Sequence, residues 1–175
     1  MRVALQLHPG CRSEAVSAIE ADVAREDGVL RLAYRARGRM SQLLVPAAAD
    51  FERADGLWKE TCFEAFVRGT RGEAYCEFNF APSTRWAAYA FDGYRAGMRN
   101  FEVAPLYIET EAGPDWFELR AAAAPGETGP WRVALAAVIE DVSGMKSYWA
   151  LKHAPGKPDF HRADAFALEL DAPAN

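Results

Sequence analysis

"CFEAFVRGTRGEAYCEFNF", residues 62–80, decides how the rest of the chain is read. In its first half Phe63, Ala65 and Val67 alternate with Cys62, Glu64, Phe66 and Arg68; in its second half Cys76, Phe78 and Phe80 alternate with Tyr75, Glu77 and Asn79. A period of two is that of a β-strand, whose successive side chains point to opposite faces. The intervening "RGTRGE" (68–73) is turn chemistry, so the two runs predict an antiparallel pair with one apolar and one mixed face. A sheet needs only one buried face, so Glu64, Glu77 and Asn79 read either as ordinary solvated surface or as the floor of a site.

The same pattern extends in both directions. Strand-length runs occur at 2–9, 16–26, 29–38, 62–68, 74–82, 86–94, 105–112, 116–125, 131–141, 146–153 and 164–170, and segments with helical periodicity are nearly absent. Asp27-Gly28 falls between two runs and is the strongest short-range hairpin signal in the chain. The expected fold is all-β: an antiparallel two-sheet β-sandwich of about eleven strands forming one domain over residues 1–175. Two long connections, 41–56 and 154–163, break the rhythm and are where a binding site is expected. The closing "DAPAN" (171–175) reads as a loose tail.

With half of its 175 residues hydrophobic and 12% aromatic, the chain can bury a large core without metals or crosslinks. The net charge is −5 and the basic residues are scattered among acids, which argues against a nucleic-acid partner. No apolar window reaches the length of a membrane span, and the opening run is broken by His8 and Pro9, so no signal peptide is read and a cytoplasmic location is expected. Cys11, Cys62 and Cys76 show no zinc-type spacing; Cys62 and Cys76 read as small buried hydrophobes, with a bridge between them left open.

Trp58, Phe66 and Tyr75 accompany the acids of the mixed face. Flat aromatics beside carboxylates and amides match a pyranose ring, which offers CH-rich faces for stacking and hydroxyls for paired hydrogen bonds. The plainer alternative has Trp58 capping the core and Glu64 paired with an arginine across the sheet.

The series "GLWKETCFEAFV", "YCEFNFAPSTRWAAYAF", "WRVALAAVI" and "SYWALKHAPGKPDFHRADAFALEL" resembles the family 9 carbohydrate-binding modules and the wider DOMON-like superfamily, from about residue 56 onward. The resemblance implies that Trp58 stacks on a sugar, Glu64 accepts from its hydroxyls and Arg85 donates to it. It also implies a second aromatic late in the chain, Trp149 or Tyr148, with Lys152 beside it; Glu77 and Asn79 follow as further site residues. This chain departs from the pattern at Phe63, where sugar-binding members carry a polar residue, and in a longer loop holding His153, Asp159 and His161.

Haem-binding members ligate iron through Met and His, for which Met40, Met98, Met145, His153 and His161 are available. "GYRAGMRNF" forms no apolar haem slot, and no haem is expected. His153 and His161 are the weak candidates for a metal; Asp50, Glu52 and Asp55 are the oxygen cluster that a structural calcium would need. No nucleophile motif or phosphate loop is present. The leading expectation is therefore a non-catalytic carbohydrate-binding-like module with a saccharide as partner. The alternatives are an interaction scaffold that binds a protein instead of sugar, and a glycoside-acting enzyme using Glu64 and Glu77.

Overall fold

A computed structural model describes residues 1–172 of the chain, so the last three residues of the expected tail lie outside the described residues. The strands are β1 (Arg2–Leu7), β2 (Val16–Glu26), β3 (Val29–Gly38), β4 (Cys62–Gly69), β5 (Tyr75–Phe80), β6 (Trp86–Phe91), β7 (Arg99–Asn100), β8 (Tyr107–Ala112), β9 (Trp116–Ala123), β10 (Trp131–Glu140), β11 (Lys146–Ala150) and β12 (Leu168–Leu170). Short 3-10 turns occur at Met40–Gln42, Leu57–Lys59 and Ala163–Ala165. Eleven of these strands match the runs read from the sequence; β7 has two residues, too few to show any alternation. The β2–β3 hairpin turns on Asp27 and Gly28, both with positive φ (50° and 76°), as a two-residue turn matched to strand twist requires.

The named strands pair antiparallel throughout, in the order β7-β6-β5-β4-β10-β11-β1-β2-β3-β9-β8, with β12 beside β10. β1 serves two partners. Its first part pairs with β2 (Arg2↔Asp22 to Leu5↔Ile19), and its end pairs with β11 (Gln6↔Ala150, Leu7↔Trp149). The result is one strongly curled sheet rather than the expected two-sheet sandwich. Alternation tells which face of each strand is buried; it does not reveal that one strand is shared between two arms.

The arms close over a common core. Phe63 of β4 stacks on Phe117 of β9 at 6.2 Å and lies 5.1 Å from Tyr34 of β3. The Tyr34 hydroxyl crosses the same interior and donates to the Glu64 backbone carbonyl at 2.7 Å. Phe63, Ala65, Val67, Cys76, Phe78 and Phe80 all face this core, as their alternation predicts.

The β4–β5–β6–β10 arm is buried on its other face too. There Phe66, Tyr75, Phe91 and Val138 form a second apolar cluster, covered by Phe160 and Phe166 from the connection between β11 and β12. Cys62 and Cys76 are both buried and unbridged: Cys76 faces the main core, while the Cys62 thiol points to Asn79 on the opposite face. Among the described residues, no helix is long and apolar enough to cross a membrane.

Candidate functional site

β4 and β5 bring Glu64 and Glu77 to the second, smaller cluster. Their register sets Glu64 opposite Asn79 and Phe66 opposite Glu77, so the two acids are diagonal neighbours on one face. Neither is solvated surface: Glu64 is 3% exposed, Glu77 5% and Asn79 fully buried. Asn79 donates its side-chain N–H to Glu77 Oε1 at 2.7 Å. The Glu64 carboxyl has no hydrogen-bond partner among the described residues.

The rest of the site comes from loops. Between β6 and β7 the backbone enters the left-handed region at Arg95 (φ 52°), and the Arg95 guanidinium donates to Asp159 at 2.9 Å. The Tyr94 hydroxyl donates to the other Asp159 oxygen at 2.6 Å, tying this loop to the 154–163 connection. The Arg95 backbone N–H donates to the Tyr75 hydroxyl oxygen at 3.3 Å, and that hydroxyl lies 2.7 Å from His161 Nδ1. The other ring nitrogen, Nε2, lies 3.8 Å from Glu77 Oε2.

These groups surround a cavity of about 370 Å³, whose polar lining is Glu64, Glu77, Arg95, Asp159 and His161. That volume lies within the roughly 300–1,000 Å³ of small-molecule sites. Phe91, Met98, Val138 and Phe160 contribute apolar wall. Pro158, Trp58 and Tyr148 complete the lining. Trp58 is 42% exposed and meets Tyr89 edge-on at 6.3 Å, leaving much of its indole free.

Burial and mutual repulsion both raise the pKa of the Glu64 carboxyl well above the ordinary carboxylate range, with Arg95 opposing. Burial pushes Glu77 up to about 7, against the lowering effects of Asn79 and Arg95. Burial, with Arg95 adding to it, depresses His161 to about 4, so the imidazole is neutral at neutral pH. The site thus combines two acids that resist ionisation, a neutral imidazole and one cation already paired with Asp159.

No protein-family profile matches the chain, and no curated protein matches it. The fold is similar to that of a "putative carbohydrate-binding protein" from Bacteroides uniformis, with a TM-score of 0.62 and 12% identity over 94% of this chain and 83% of that one. At that identity the likeness shows a shared all-β fold.

Of the residues singled out from the sequence, Trp58, Glu64, Glu77 and Tyr148 line the cavity, and Asn79 supports Glu77 from behind. Three others lie elsewhere. Arg85 is paired with Glu52 at 2.9 Å beside a separate depression near residues 44–49. Trp149 is 4% exposed and belongs to the main core, with its indole N–H donating to the Ser147 hydroxyl at 3.0 Å. Lys152 is exposed and lines no part of the cavity.

His153 and His161 do not converge. His153 lies 2.7 Å from the Gln6 carbonyl and packs edge-on against His8, whereas His161 sits among Tyr75, Phe66 and Phe91. The oxygen cluster considered for calcium is dispersed too: Glu52 holds Arg85, and Asp55 accepts from the Tyr89 hydroxyl at 2.6 Å. Among the described residues, no group of three or more His, Cys, Asp and Glu side chains is arranged to hold a metal ion. Met98 reaches the cavity, while Met40 packs at the edge of the main core and Met145 is exposed on the surface.

The sequence reading missed Arg95, Phe91 and Phe160 as cavity residues. Phe91 was detectable, since it shares the parity of Ala87 and Tyr89, the residues of β6 that face the second cluster. Arg95 carried no signal, because a loop residue in the left-handed region belongs to no periodic pattern.

Proposed function

We propose that the chain is a non-catalytic carbohydrate-binding module of the DOMON-like, family 9 kind, and that the cavity at Trp58 is its sugar site. The observation that carries this reading is the coincidence, on one cavity of suitable size, of a half-exposed indole and a buried carboxyl with no partner of its own. Trp58 would offer its free face to the CH-rich side of a sugar ring, with Tyr148 as the second aromatic. Glu64 and Glu77 would hydrogen-bond hydroxyls, and Arg95 takes the donor role that the resemblance gave to Arg85. Similarity of fold to the Bacteroides uniformis protein is consistent with the assignment.

The test is calorimetric titration of a panel of mono- and oligosaccharides against the wild type and Trp58→Ala. Stacking supplies most of the affinity, so the variant should lose detectable binding while keeping the wild-type circular dichroism spectrum. A sugar bound equally by both proteins would overturn the reading.

A second reading has one observation in its favour: two buried acids with raised pKa values share a cavity, as the acid and base of a glycosidase would. It requires turnover of chromogenic glycosides that disappears in Glu64→Gln. Absence of both turnover and glycan binding would favour a scaffold that engages another protein.

A further inference from the structure

With its acids ionised, the cavity would carry more negative than positive charge. Three acids line it, Glu64, Glu77 and Asp159, against one arginine. Arg95 is committed to Asp159 at 2.9 Å, and the neutral His161 has one ring nitrogen 2.7 Å from the Tyr75 hydroxyl and the other 3.8 Å from Glu77. Tyr148 reaches the cavity from β11, which pairs with β10 beside the Glu64 strand. Glu64 is left 97% buried, without a hydrogen bond among the described residues, and part of the cavity wall. A sugar hydroxyl can donate one hydrogen bond to such a carboxyl but does nothing to neutralise it. An ammonium group supplies three donors and the missing charge together. Trp58 and Tyr148 add aromatic surface against which an organic cation is stabilised.

Resting on the sugar-binding reading, we propose that the ligand class of this site is an amino sugar with a free, unsubstituted amine, its ammonium seated at Glu64 and Glu77 and its ring against Trp58. Without a ligand the acids are held by protonation instead, since burial pushes both carboxyls up, Glu77 to about 7, and repulsion from Glu77 adds to the rise at Glu64. Ammonium binding therefore expels a proton to the buffer. Affinity rises with pH below neutrality and falls above it, where the amine, acidified by its neighbouring oxygens, loses its charge.

The experiment compares three trisaccharides that differ only at C2: the β-1,4 glucosamine trimer, its fully N-acetylated form and cellotriose, with benzyltrimethylammonium as a cation that is not a sugar. At a pH of about 6, where the amines are charged, the glucosamine trimer should bind about tenfold more tightly than either neutral trimer, the scale expected for a hydrogen bond to a charged partner. Glu64→Gln should bring the three within about threefold of one another. Titrating the wild type in two buffers of different ionisation enthalpy should reveal proton release with the glucosamine trimer alone, a readout that does not depend on any variant folding.

Equal or tighter binding of cellotriose would overturn the amino-sugar assignment and leave the sugar-binding reading intact. Binding of benzyltrimethylammonium with no trimer bound would remove the sugar reading, and the amino-sugar assignment with it. Silence from all four probes would remove both.

Discussion

Glu77→Gln makes the electrostatic argument measurable as a stability that varies with pH. Glu77 is 5% exposed and its pKa is raised from the ordinary 4.5 to about 7. A carboxyl whose folded pKa is raised stabilises the native state fully below pH 4.5, where it is protonated in both states. That contribution is lost as pH rises through 7, because the unfolded chain ionises first. The interval corresponds to about 3 kcal/mol. Glutamine keeps an oxygen to accept from Asn79 and never ionises. The variant should match the wild type within about 0.5 kcal/mol at pH 4.5 and exceed it by up to about 3 kcal/mol at pH 8, or roughly 6–12 °C in Tm for a chain of this size. Glu64 shifts in the same direction and is itself pushed up by Glu77, so removing one acid eases the other. Urea unfolding from pH 4.5 to 8.5 would read the effect. Parallel stability curves for variant and wild type, or a variant less stable at pH 8, would refute the buried-acid account.

His161 should show the opposite trend. With its pKa depressed to about 4, the wild type loses stability as pH falls from 6.5 through 4, and His161→Gln should gain up to about 3 kcal/mol relative to wild type between pH 8 and pH 4, measured by urea midpoints. Phe63→Ala removes the ring that joins the two arms at Tyr34 and Phe117 and should cost about 3–5 kcal/mol in denaturant unfolding. Tyr34→Phe deletes the 2.7 Å bond to the Glu64 carbonyl and should cost about 1–3 kcal/mol by the same measurement. Trp58→Ala, at a half-exposed position, should change stability by less than about 1 kcal/mol while eliminating glycan binding.

The alternation of residues 62–80 correctly separated Phe63, Ala65 and Val67 from Glu64 and Phe66, and Cys76, Phe78 and Phe80 from Tyr75 and Glu77, because a strand's side-chain period is a property of the local backbone. Asp27-Gly28 located its hairpin for the same reason. The choice between Tyr148 and Trp149 stayed open. Neighbours in a strand face opposite ways, and pairing with β10 and β1 is what turns Trp149 to the main core and Tyr148 to the cavity.

Strand positions, their faces and the pairing of adjacent runs were therefore determined by residues near one another in the chain, through backbone geometry and local turn chemistry. Tertiary structure alone decided that β1 joins both arms into one curled sheet, that the β11–β12 connection buries the face bearing Glu64 and Glu77, and that Arg95 rather than Arg85 meets them. Each of these outcomes depends on segments far apart in sequence coming together, and the raised carboxyl pKa values follow from that burial, which no local pattern encodes.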